Sequence, residues 1–177
     1  MSLAELQDDF PSLCERLLKT SREHRIGQSY LLVGDNDAAL ARFATQWAAV
    51  VACQEHTPDG DACGHCETCE HLANGSYPER IDVEPESKSR QIVVDAIRAF
   101  EHRLGLATDR RHPKIGIIAE AECMGEEAQN AFLKTLEEPP KSTVLMLCTT
   151  QPKRLLTTIR SRCQLVALRR NRSDYTR

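Results

Sequence analysis

The chain has 177 residues, about one ordinary domain, and its 23 Lys and Arg against 26 Asp and Glu leave a net charge of −3. That balance excludes a uniform basic coat for nucleic acid, and no apolar run approaches the roughly 18 residues of a membrane span. A chain of this length hides roughly 70% of its unfolded surface, so a core forms without disulfide staples and the eight cysteines need another explanation.

In chain order, residues 1–18 are broken by Glu5, Asp8, Asp9, Glu15 and Arg16 and so read as no secretory leader, which makes the reducing cytoplasm the expected compartment. Met1-Ser2-Leu3 resembles an expression scar and carries no weight here. Five short apolar runs predict strands at 29–33, 81–84, 114–119, 143–149 and 164–168. Most are continuous rather than alternating, the pattern of strands covered on both faces. Helical stretches are expected at 38–53, 91–104, 126–138 and 155–160; in the third, Ala128, Ala131, Phe132 and Leu136 recur at helical spacing before Pro139-Pro140 stops it. Strands alternating with helices predict an α/β domain, a parallel five-stranded sheet in three layers. A cysteine-rich insert follows the first predicted helix.

The insert holds Cys53, Cys63, Cys66 and Cys69, separated by nine, two and two residues. Two successive CxxC steps let thiolates converge on one ion, and the loop after Cys53 brings round a fourth ligand. Zinc is favoured over an iron–sulfur cluster, whose common ferredoxin spacings do not match. Free or disulfide-bonded cysteines are the remaining alternative. Four thiolates leave no open coordination position, so the site is expected to be structural. Gly60 and Gly64 supply the freedom of a tight turn, and His56, His65 and His71 stand near enough for one to replace a cysteine. Cys14, Cys123, Cys148 and Cys163 each read as small buried apolar residues.

The turn after the first strand, Gly34-Asp35-Asn36-Asp37-Ala38-Ala39-Leu40-Ala41, occupies the place of a phosphate-binding loop. Against GxxxxGKT it keeps the first glycine and puts Ala39, Leu40 and Ala41 where the second glycine, the lysine and the hydroxyl belong. The third strand runs into Ala119-Glu120-Ala121-Glu122, with Ala119 at the position of a magnesium-holding aspartate. Glu120 and Glu122 read as solvated strand-end residues. Charge is uneven: acids outnumber bases 11 to 4 over 55–101, and bases outnumber acids 8 to 1 over 153–177. The basic end reads as a candidate contact surface or, after Arg169, as a frayed tail.

Two segments carry a resemblance. Asn130-Ala131-Phe132-Leu133-Lys134-Thr135-Leu136-Glu137-Glu138-Pro139-Pro140 and Leu155-Leu156-Thr157-Thr158-Ile159-Arg160-Ser161-Arg162-Cys163-Gln164 resemble the AAA+ domain of bacterial DNA polymerase III clamp-loader subunits. The likeness runs from about His24 to Leu168 and includes the four-cysteine insert of the gamma/tau and delta-prime branches. It implies the AAA+ P-loop NTPase fold with a zinc module at about 53–75. It also implies that residues 1–177 make one domain, without the lid and collar that follow in family members.

Leu40, Ala41 and Ala119 at the family's lysine, threonine and aspartate positions resemble the delta-prime branch, which sits in the ring without being a working ATPase. ATP is therefore not expected to bind productively, through Gly34, Leu40 and Ala41 or through Ala119 and Glu120. Arg162 in Ser161-Arg162-Cys163 resembles an arginine finger acting in trans on a neighbour's ATP, and Thr149-Thr150 fall at a γ-phosphate sensor position. The implied partners are gamma/tau and delta subunits, with the sliding clamp indirectly and DNA through the assembled complex, at the cytoplasmic replisome. Two other functions stay open. A gamma/tau-type ATPase would have to bypass Leu40, Ala41 and Ala119 together. A zinc-containing nucleic-acid-binding module is opposed by Glu55, Asp59, Asp61, Glu67 and Glu70, which repel phosphates, and by aromatic residues amounting to 5% of the chain.

Overall fold

The computed structural model describes residues 2–107 and 112–168. Five strands, β1 (Ser29–Val33), β2 (Arg80–Val83), β3 (Lys114–Ile118), β4 (Thr143–Thr149) and β5 (Gln164–Ala167), form one parallel sheet in the order β2-β3-β4-β1-β5. β1 lies between β4 and β5, with Val33 beside both Thr149 and Ala167. The helices among the described residues are α1 (Pro11–Arg22), α2 (Asp37–Ala52), α3 (Glu67–Ala73), α4 (Val94–Gly105), α5 (Glu126–Glu137) and α6 (Thr157–Arg160).

Side chains alternate across each strand, and here both faces are apolar. Tyr30, Leu32, Ile115 and Met146 join Phe43 and Trp47 of α2 in one core, on the side of α1 and α3. Leu31, Leu145 and Leu147 point the other way, into Ile97, Phe100, Phe132 and Ile159 of α4, α5 and α6. Tyr30 meets Trp47 edge-on at 5.7 Å between ring centroids, and Phe100 tilts against Phe132 at 6.0 Å. The three-layer α/β architecture expected from the sequence is present.

Strand and helix positions agree with expectation to within a few residues. The helix expected at 91–104 begins later, at Val94, because Ile92 bridges to Met124 as a short extended contact. Of the stretch expected at 155–160 only the single turn of α6 is helical, and a separate 3-10 turn, Pro152–Arg154, precedes it. Two helices were not anticipated. α1 buries Leu13, Cys14, Leu17 and Ser21 behind Pro11 at its first turn. α3, inside the insert, buries Thr68, Cys69 and Leu72. Ahead of them a 3-10 turn, Leu3–Leu6, buries Leu3 completely. Leu3 is thus part of the core: Asp61 and Cys14 both bond its backbone.

Lys114 opens β3 buried, a position that charge ordinarily forbids. Its ammonium donates to the carbonyl oxygens of Arg103 (3.0 Å), Leu104 (3.2 Å) and Leu106. Those carbonyls end α4, where backbone acceptors lack helical partners and the helix dipole favours a cation. The basic segment expected as a contact surface is described as far as Leu168; 169–177 lie outside the described residues.

Candidate functional site

β1 delivers Gly34 to the carboxyl edge of the sheet, where the turn to α2 begins. Three backbone donors of this turn already have protein acceptors. Gly34 N–H donates to Thr149 O (3.3 Å), Ala39 N–H to Asn36 Oδ1 (3.0 Å), and Leu40 N–H to Asn36 O (3.1 Å). Asn36 is the N-cap of α2 and fills the place an anion would take at a helix start. Leu40 is fully buried, and its Cδ2 lies 3.3 Å from where a Cβ on Gly34 would stand. An isobutyl group packed down on the loop replaces a lysine reaching out of it.

Around the turn the charges are mostly acidic. Asp37, Asp82, Glu84 and Glu120 line a cleft of about 150 Å³ with Ala41 and Ala119. Partial burial, then Glu120 and Glu122, raise the Asp37 pKa above its ordinary value. The cations here have carboxylate partners: Arg80 Nε holds both oxygens of Asp82 (3.1 and 2.9 Å), and Arg90 is paired with Glu120. A triphosphate would meet repulsion from the acids and would have to displace these pairs.

Glu120, two residues past β3, takes a left-handed conformation (φ 47°), and the 3-10 turn Ala121–Cys123 then carries Glu122 inward. Glu122 is 6% exposed, which overturns its reading as a solvated residue. Its Oε1 accepts from Thr150 N (3.2 Å) and Thr150 Oγ1 (2.9 Å). The threonine pair at the end of β4 is thereby committed: Thr149 is buried and accepts from Gln151 N–H, and Thr150 serves Glu122.

At the opposite, amino edge of the sheet, the sulfur atoms of Cys53, Cys63, Cys66 and Cys69 lie within 4.8 Å of one another. A tetrahedral ion with bonds of about 2.3 Å needs sulfurs about 3.8 Å apart, so the set fits zinc after small adjustments. Cys53 follows the last residue of α2, and Cys66 and Cys69 flank the start of α3. Cys63 N–H donates to Cys53 Sγ and Cys66 N–H to Cys63 Sγ, both at 3.3 Å, as in a turn that cradles thiolates. Burial raises thiol pKa values here, but amide donors at Gln54 and Cys69 hold Cys66 at about 7, while burial pushes Cys69 well up. Gly60 and Gly64 both take positive φ (83° and 80°), and a Cβ on Gly60 would stand 2.6 Å from Arg22 Cγ. None of the three histidines joins the four sulfurs. His56 Nε2 meets Val50 O (2.7 Å), His71 Nδ1 meets Ser76 Oγ (2.9 Å), and His65 Nδ1 lies 3.6 Å from Glu55.

The insert also holds the start of the described chain. Asp61, 6% exposed, accepts from Leu3 N and Ala4 N, both at 3.0 Å. Asp61 therefore is not one of the exposed acids expected to repel phosphate; Glu55, Asp59, Glu67 and Glu70 remain exposed. Of the other cysteines, Cys14 and Cys148 are buried, and Cys123 and Cys163 are half-buried. Burial pushes Cys148 and Cys163 up to about 12.

Arg162 is exposed in the turn between α6 and β5. Its Nη2 donates to Glu137 Oε1 (2.6 Å) and its Nη1 to Thr158 O (3.0 Å). Gln164, two residues on, pairs with Tyr30 near the start of β1, whereas Gly34 lies beyond the end of β1. The arginine and the loop are thus at opposite edges of the sheet, roughly 20 Å apart along the strands. Arg162 cannot serve a phosphate held by its own loop.

A family model described as DNA polymerase III, delta subunit, matches residues 10–172. DNA polymerase III subunit delta' of Pseudomonas aeruginosa is 40% identical over 135 residues, 76% of this chain and 41% of that protein. The delta' subunit of Escherichia coli K12 is 34% identical over 161 residues, 90% of this chain and 46% of that protein. DNA polymerase III subunit tau of Bacillus subtilis is 34% identical over 142 residues, 80% of this chain and 24% of that protein. The chain thus spans less than half the length of these relatives. Among solved structures, a DNA polymerase III gamma subunit-related protein of Thermotoga maritima superposes with a TM-score of 0.62 at 24% identity, over 93% of this chain and 47% of its own. A RuvB variant from Thermotoga maritima gives 0.54 at 13% identity, over 92% and 44%. These two show the fold, a parallel AAA+ sheet. No helix among the described residues is long and apolar enough to cross a membrane.

Proposed function

The chain belongs to the DNA polymerase III delta-subunit family, and on that premise we propose that it is the AAA+ domain of a delta-prime-type clamp-loader subunit, one that hydrolyses no ATP and lends Arg162 to a neighbour. The observation that carries this reading is the separation of the two sites. The loop edge is closed by Leu40, capped by Asn36 and ringed with carboxylates. The arginine edge is exposed and faces away from it.

Each residue then has a defined task. Glu137 and the Thr158 carbonyl orient the guanidinium while leaving it at the surface. A guanidinium stays charged and presents a planar fork, so it can take two oxygens of a phosphate whose charge grows during transfer. Ala41 and Ala119 offer no oxygen to a magnesium ion and Leu40 no charge to a phosphate, so this chain's own loop takes no part. When bound, zinc supplies the insert with a four-point crosslink, held by Cys53, Cys63, Cys66 and Cys69. The partners in this reading are gamma/tau and delta subunits, with DNA and the sliding clamp reached through the assembly.

Reconstitution with cognate gamma/tau and delta subunits tests it. Clamp-dependent ATP hydrolysis should fall when Arg162→Ala replaces the wild type, and the isolated chain should bind no ATP in calorimetry. Magnesium-dependent turnover by the isolated chain would instead favour the gamma/tau type.

A further inference from the structure

We propose that Glu55, Cys63 and His65 form an outer capture site through which a divalent cation reaches and leaves the four-cysteine cage. The inference rests on the reading of that cage as a zinc site. Carboxylate oxygen, thiolate and imidazole atoms of these three residues lie within 4.8 Å of one another. Oxygen, sulfur and nitrogen donors together make a set that zinc accepts, with a fourth position left to water.

Exposure separates this group from the cage. The Glu55 and His65 side chains are 66% and 72% exposed, and His65 Nδ1 stands 3.6 Å from Glu55 Oε2. Cys53, Cys66 and Cys69 are buried, and Cys63 is the cage thiol of intermediate exposure. The cage therefore meets solvent at Cys63, and that thiol is the one shared with the outer pair. The neighbouring histidines do not compete for this role, since His56 is turned to Val50 O and His71 to Ser76 Oγ.

A closed four-thiolate site has no vacant coordination position, so a metal can be exchanged only as ligands are replaced. Glu55 and His65 provide replacements on the open side. In loading, a hydrated dication trades waters for the Glu55 carboxylate, a His65 nitrogen and the Cys63 sulfur, and the Cys63 thiol loses its proton to solvent. Cys53, Cys66 and Cys69 then displace the carboxylate, the imidazole and the remaining water, releasing three more protons, while the Cys63 bond persists. Removal runs the same steps backwards. Four protons leave for one dication gained, and no electron moves.

The test uses the full chain and zinc alone. Metal content is measured first, then transfer of zinc to an excess of a chromogenic chelator, then reloading of the stripped protein with zinc chloride. Glu55→Gln, His65→Ala and the double variant should each hold one zinc per chain at equilibrium. The double variant should both lose and regain it several-fold more slowly, with loading and release slowed alike. Unchanged rates in a fully loaded double variant would overturn the capture site and leave the zinc reading standing. Loss of zinc at equilibrium would overturn it too, since the pair would then belong to the cage. A wild type without metal would overturn both.

Discussion

Arg162 Nη2 lies 2.6 Å from Glu137 Oε1, tying the turn before β5 to the last residue of α5. Both side chains reach solvent, at 34% and 50% exposure. An exposed pair of this kind contributes about 0–1 kcal/mol, so the guanidinium can exchange its carboxylate for phosphate oxygens at little cost.

Arg162→Ala is therefore expected to leave the thermal unfolding midpoint and zinc content unchanged while measurably reducing ATP hydrolysis by the assembled complex. Arginine fingers in small GTPases are worth about 10³- to 10⁵-fold, and a ring with several ATP sites dilutes the loss of one. Arg162→Lys should recover part of the rate at most, because the charge returns without the fork. Glu137→Gln, which keeps the arginine but loosens its aim, should fall between. An unfolded Arg162→Ala variant, or normal hydrolysis with it, would rule out a role in trans.

Leu40→Lys does not restore a phosphate site. Leu40 is fully buried against the Gly34 turn, so an ammonium there loses the apolar contact and is taken out of water. We expect a loss of about 2–4 kcal/mol in urea unfolding and no ATP binding by calorimetry. Micromolar ATP affinity in this variant would mean that the lysine alone had been lacking.

Much of the sheet was legible because β3 and β4 are buried on both faces and so are continuously apolar; Thr143–Thr149 was readable to the residue. The same holds for the four cysteines, whose spacing is local. α1 carries a sequence signal in Leu13, Leu17 and Ser21 at helical spacing behind Pro11, interrupted by the exposed charges of its outer face. α3 is seven residues long, too short to stand by periodicity, and depends on the insert around it. Pairs distant in sequence were beyond reach: Asp61 with Leu3, Arg90 with Glu120, Lys114 with the end of α4. The burial of Glu122 has no local signature, because it depends on a 3-10 turn that takes its carboxylate to Thr150.

Zinc removal should spread along the first of those pairs. Asp61 sits between Gly60 and the CxxC steps and holds Leu3 and Ala4, so loosening the cage frees the Leu3–Leu6 turn. With a chelator, or with Cys66→Ser, amide hydrogen exchange should rise over 53–75 and over the Leu3–Leu6 turn, while β1, β3 and β4 stay protected by their own apolar cores. Global unfolding on chelation would show that the cage, rather than the two cores, carries the fold.

Glu122 makes stability depend on acidity in a predictable direction. Burial pushes its pKa up, but hydrogen bonds from Thr149 and Thr150 outweigh that and leave it below the ordinary 4.5. A carboxyl whose folded pKa is depressed adds stability that is fully present above its unfolded pKa and is lost as pH falls through the folded value. Thr150→Val removes the hydroxyl at 2.9 Å and keeps the shape. At pH 7 it should cost about 1–3 kcal/mol, the ordinary range for a bond to a charged acceptor. Below that folded value the wild type forfeits the same charge-assisted bond, so urea midpoints of the two proteins should converge in acid. A gap that stayed constant from pH 7 to acid would mean that Glu122 is neutral throughout, and that the hydroxyl matters for packing rather than for holding a charge beneath β4.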